Sequence, residues 1–192
     1  FQQLYNVVDS IIVGKYIGKD ALAAVGSSFT FMVFITSIIL GLCMGASVVF
    51  SQFFGGGRLD DLKRSISTSL LFIGGVAVLL SVLAILFIGP ILRLMNIPAD
   101  LMEMTRSYLL TIFAGVFFTF LYNWASCLLR ALGNSKAPLF FLIIAALTNV
   151  VLDLIFVIPL QMGVFGAALA TILAQLLSAI LSLLYCLKKL DF

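Results

Sequence analysis

Residues 137–159 read APLFFLIIAALTNVVLDLIFVIP. The run exceeds the roughly 20 residues that a helix needs to cross a bilayer. Asp153 is its one ionisable side chain. Lipid offers no hydrogen-bond partners, so only helices and closed barrels can cross it. A barrel strand takes about ten residues, so a run of this length is a helix. Pro138 suits a first helical turn, where a missing N–H costs nothing.

The same reading extends in both directions. Downstream, a sixth apolar run covers about 163–187. Upstream, four more cover about 1–17, 27–54, 64–89 and 100–130, separated by short polar stops such as Gly55-Gly56-Gly57-Arg58 and Gly89-Pro90. Asp100 stands where an N-cap aspartate would start the fourth helix. The spacing therefore predicts an all-α integral membrane protein of six transmembrane helices.

Composition supports this. The 192 residues are 63% hydrophobic and 10% charged, against about 25% charged in a soluble domain. Histidine is absent, and Cys43, Cys127 and Cys186 stand singly in apolar runs. Zinc sites of the usual kind and thiolate–imidazole catalysis are thereby disfavoured, as are an enzyme, a bound cofactor and a nucleic-acid partner. The chain opens on Phe1 inside a helix-like segment, which reads as a truncated N-terminus.

Basic residues set the orientation. Arg58, Lys63, Arg64, Arg130, Lys136, Lys188 and Lys189 fall on one side; Lys15, Lys19, Arg93 and Arg106 fall on the other. The richer side is expected to be cytoplasmic, so the first, third and fifth helices run outward. Gly41 and Gly45 form a G-x-x-x-G pair, and Gly163, Gly166, Ala167, Ala168 and Ala170 crowd the start of the sixth helix. Both sets are expected to be helix-packing faces. Tyr122, Asn123 and Trp124, near the inner end of the fourth helix, read as interfacial anchors.

Six of the eight acids belong to loops or chain ends; Asp9 and Asp153 lie inside apolar helices. An ionisable group there costs about 2.5–3.5 kcal/mol even on the lenient scale, and is a functional candidate by default. At 1.5 Å per residue each sits roughly 9 Å below the outer end of its helix, and Thr171 roughly 12 Å into the sixth. All three can meet in the outer half of the membrane. Asn149 precedes Asp153 by one turn, and Tyr5 precedes Asp9 likewise, so each shares a face with its aspartate. Two carboxylates in a poorly hydrated site cannot both stay ionised cheaply. A proton or a monovalent cation such as Na+, held by oxygen ligands, relieves the same problem.

Four stretches resemble one family. LYNVVDSIIVGKYIGKDALAAVG (4–26), SQFFGGGRLDDLKRS (51–65), LLRALGNSKAPLFF (128–141) and TNVVLDLIFV (148–157) followed by GVFGAALATILAQ (163–175) are similar to segments of multidrug-and-toxin extrusion (MATE) transporters, in the same order. Leu154 departs from the pattern, since many relatives carry proline after the aspartate. The resemblance implies a twelve-helix fold of two six-helix lobes, with residues 1–192 supplying the N-terminal lobe and the C-terminal lobe absent. It implies a secondary active antiporter of the bacterial inner membrane that exports cationic, amphipathic small molecules in exchange for protons or sodium ions. Carried over by position, the cation-coupling residues are Asp9, Asn149, Asp153 and Thr171, with Tyr5 in support. The runner-up is a lipid-linked precursor flippase of the same superfamily. Such flippases place arginines in their central cavity, whereas here the bases sit towards the ends of the apolar runs and the ionisable side chains deep within them are acids.

Overall fold

The computed structural model describes residues 2–189, with side chains described for 7–188. Eight helices follow one another: α1 (Gln2–Tyr16), α2 (Lys19–Gly55), α3 (Leu59–Leu86), α4 (Ile88–Leu94), α5 (Met102–Ala114), α6 (Val116–Ala131), α7 (Lys136–Val157) and α8 (Gly163–Lys189). No strand occurs among the described residues. Helices α2, α3, α7 and α8 are each long and apolar enough to cross a membrane, and α5 with α6 makes a fifth, broken crossing bent by 45°. With α1 these give six helical segments. Their outer surface is apolar: Leu71, Phe72 and Leu86 on α3 and Phe140 and Leu147 on α7 are exposed. In water such a surface would be a liability; in lipid it is the expected exterior.

The ends of α7 and α8 fall close to the expected ones. Elsewhere the breaks differ, for local reasons. Helix α2 starts at Lys19 rather than near 27, because Gly18, at φ 129°, reverses the chain in a single step. That conformation is open to glycine and strained for other residues. Helix α3 ends at Leu86 and α4 starts afresh at Ile88. Pro90 lacks the N–H that would bond the Leu86 carbonyl, and its ring crowds that turn. The expected fourth helix is α5 plus α6, divided at Gly115. Asp100 is not its N-cap; that position is Leu101, whose carbonyl accepts from the Thr105 N–H and the Thr105 hydroxyl, each at 2.9 Å.

Two expectations about packing fail. Gly41 and Gly45 face open space, with nothing within 4 Å of a Cβ built on either, so they do not join helices within this bundle. Tyr122, Asn123 and Trp124 are buried rather than interfacial. Trp124 Nε1 donates to Ser69 Oγ at 3.0 Å and Tyr122 Oη to the Pro138 carbonyl at 3.2 Å. Their polar tips find partners in neighbouring helices, so the rings need not reach the headgroups.

The small residues at the start of α8 do pack as expected. Ala167, Ala168 and Ala170 are fully buried. A Cβ on Gly166 would come within 2.9 Å of Met162 Cβ and 3.0 Å of Phe156 Cβ. This close approach of α8 to the end of α7 builds a second apolar cluster, with Ile12 and Val13 of α1, Val25 of α2 and Val157 of α7. The acids of α1 and α7 lie beside it.

Candidate cation-coupling site

Helix α1 packs against α7, and α7 against α8. Asp9 is therefore carried to α7 from α1, and Thr171 to α7 from α8. Asp9 is 4% exposed, Asn149 1% and Asp153 0%. The two carboxylates are near enough to act on each other electrostatically. Asn149 Nδ2 donates to Thr171 Oγ1 at 3.3 Å, and Thr171 Oγ1 donates onward to the Ala167 carbonyl at 3.2 Å. The four residues predicted from depth and spacing thus lie on three adjacent helices. Tyr5 lies outside the residues whose side chains are described.

Counting donors and acceptors gives the site its character. The Thr171 hydroxyl donates to the Ala167 carbonyl, and the Asn149 amide nitrogen, not its oxygen, faces Thr171. Asp9 Oδ1, Asn149 Oδ1 and both carboxylate oxygens of Asp153 are then buried with no hydrogen-bond partner among the described residues. All four are acceptors. A buried unpaired acceptor costs about 1–3 kcal/mol, and a charged one more. What such a cluster lacks is positive charge or a donated proton, and its all-oxygen donor set suits a hard monovalent cation or a proton.

Two cavities flank the cluster. One of about 560 Å³ runs between α1 and α2 and is lined by Asp9, Ser10, Phe29, Met32 and Tyr108. The other, of about 180 Å³, lies between α2, the α5–α6 break and α8, with Thr36, Thr119, Thr171 and Gln175 supplying its polar wall. Of these, Gln175 was missed, although its place one turn after Thr171 on the same face could have pointed to it. Thr36 and Thr119 reach the cavity through tertiary packing that no linear spacing encodes.

The comparisons agree with this architecture. The MatE family model matches residues 1–155. The probable multidrug resistance protein YpnP of Bacillus subtilis is 32% identical over 97% of this chain and 42% of its own length. A crystal structure of a MATE in the bent conformation superposes with a TM-score of 0.93 at 27% identity, over 100% of this chain and 42% of that one. An inward-facing multidrug resistance MATE family transporter of the MOP superfamily gives 0.90 at 29%, over 100% and 43%. The chain thus spans about 42% of the length of the curated relatives it matches. A multi-pass bundle that matches this family's model over most of its length, and its solved structures over all of it, leaves one assignment: the chain belongs to the MatE family.

Proposed function

We propose that residues 1–192 form the first of two six-helix lobes of an antiporter, which exports organic cations across the bacterial inner membrane in exchange for protons or sodium ions. The remaining length of the relatives would supply the second lobe and the other wall of the drug cavity. The observation that carries this reading is the surplus of buried acceptors at Asp9, Asn149 and Asp153. A proton or Na+ satisfies them; an empty site leaves them costly.

On this reading the cation enters from the cavity beside Asp9 and is shared with Asp153 on α7. Occupancy neutralises the pair and lets α1 pack closely on α7, which alters the cavity between α1 and α2. An ion shifts a conformational equilibrium only by its differential affinity for the two states. The acceptor surplus supplies that difference, because it is relieved in one state and not in the other. The flippase alternative needs fixed positive charge for a pyrophosphate, and the membrane-buried part of this lobe offers carboxylates instead.

The test uses the full-length parent in bacteria stripped of their main efflux pumps, with ethidium accumulation followed for wild type and Asp153→Asn at matched expression. Wild type is expected to lower accumulation, and the variant to behave like empty vector. Equal export by both sinks the assignment of the coupling site. No export by wild type sinks the multidrug reading and makes lipid-precursor flipping the next assay.

A further inference from the structure

Two polar stripes leave the cavity beside Thr171. On α8, Thr171, Gln175, Ser178 and Ser182 recur at intervals of four, three and four residues. On α6, Thr119, Asn123, Ser126 and Arg130 repeat the same intervals. That spacing holds each stripe on one helix face. Helices α6 and α8 pack against each other, and both run from the cavity towards the end that bears Arg130 and Lys188. Because Thr119, Thr171 and Gln175 line one cavity, the stripes start together and descend in parallel.

Below the cavity the stripes are buried as far as Ser126 on α6 and Ser182 on α8, and Arg130 is exposed. Asn123 and Gln175 are nearly inaccessible, and Ser178 and Ser182 fully so. Asn123 Nδ2 donates to the Thr119 carbonyl at 2.8 Å, and Ser178 Oγ to the Phe141 carbonyl at 3.2 Å. Ser182 Oγ is buried with no hydrogen-bond partner among the described residues. A serine in a membrane helix ordinarily bonds the carbonyl one turn back; this hydroxyl does not. An unspent buried hydroxyl works against stability, so packing alone gives no reason for serine there.

We propose that the α6–α8 seam is the route by which the coupling proton passes from the carboxylate site to the cytoplasmic end, within the lobe and separate from the drug cavity. Hydroxyls and amides spaced about one per helical turn, with water between them, relay a proton. They do not suit an alkali ion, whose hydration shell must be replaced by a ring of oxygens at every step. The inference rests on the cation-coupled reading above and narrows its ion to H+.

The test compares Ser182→Val with Ser182→Thr in the full-length transporter, reconstituted in liposomes with a pH-sensitive dye inside. The two side chains have nearly the same shape and differ by a methyl in place of a hydroxyl, so packing effects are matched. Valine is expected to slow drug-driven proton flux about tenfold, corresponding to roughly 1.4 kcal/mol on the barrier, while threonine stays within about twofold of wild type. Drug Kd should be the same in both. Equal flux for valine and threonine overturns the seam and leaves antiport standing. Export driven by a sodium gradient with no proton flux does the same. Absence of any cation-dependent transport in wild type overturns the antiport reading, and the seam with it.

Discussion

Gly115 is where the broken crossing is most sensitive. Its backbone, at φ −91° and ψ −4°, is open to any L-residue, so a substitution there meets no torsional strain. The obstacle is contact. A Cβ at Gly115 would overlap Ile172 Cγ1 and lie 2.9 Å from its Cδ1 and 3.1 Å from its Cγ2. Ile172 adjoins Thr171, so α8 cannot yield there without disturbing the 3.3 Å bond from Asn149. Gly115→Ala is therefore expected to cost about 1–3 kcal/mol, the usual range for overpacking. Ile172 is partly buried and lines a cavity, so Ile172→Ala alone should cost about 2 kcal/mol, the low end for such truncations. That change also removes every atom the new methyl would strike. The double variant should then fall short of the additive loss by at least about 1 kcal/mol, as for residues in direct contact. The assay is the Tm of the detergent-solubilised full-length protein, where 1 kcal/mol corresponds to roughly 2 °C in a chain of this size or longer. Gly115→Ala should lower Tm by roughly 2–6 °C on that scale. Additive losses in the double variant would falsify the close approach of α8 to the α5–α6 break.

Gly41 and Gly45 give the opposite expectation. Each sits within α2 with open space where a Cβ would stand. Alanine at either position should be neutral or stabilise by roughly 0.5–1 kcal/mol through backbone entropy, read as an unchanged or raised Tm. A fall in Tm would show that a helix outside residues 1–192 packs on them. Trp124→Phe keeps the edge-on contact with Phe50 but removes the 3.0 Å hydrogen bond to Ser69. It should cost about 1 kcal/mol by the usual value of such a bond. No change in Tm would mean that the bond contributes nothing to holding α3 on α6.

What the sequence disclosed, and what it withheld, follows from the range of each signal. Asp153 was legible because a lone carboxylate in an apolar run is anomalous whatever surrounds it. Asn149 followed from one helical turn, and Asp9 and Thr171 from counting 1.5 Å steps along helices whose ends could be placed. Those signals are local and additive. The close approach at Gly115 was not legible, because its partner Ile172 is 57 positions away in the chain and on another helix. Trp124 misled for a related reason. Tryptophan near a helix end usually marks an interface, but here Ser69 supplies inside the bundle the partner that a headgroup would have supplied outside. Gly41 and Gly45 misled because a G-x-x-x-G face states that something can approach closely, without stating what.

The two aspartates are not equivalent, and this bears on how the proposed exchange would proceed. Asp9 lines a cavity of about 560 Å³, whereas Asp153 lines neither cavity beside the cluster and has both oxygens buried without partners among the described residues. In the proposed exchange a cation arriving from that cavity would meet Asp9 before Asp153. Asp153 is the costlier of the two to leave bare, since isolated buried charge is penalised most where solvent is fully excluded. On the proposed exchange the arrangement would grade affinity inward, with Asp9 at the cavity wall capturing the cation and Asp153 holding it. Because the two groups stand on different helices, a cation shared between them ties α1 to α7, and its loss removes that tie. Charge would in this way be converted into the position of α1, the helix that also forms one wall of the cavity beside Asp9.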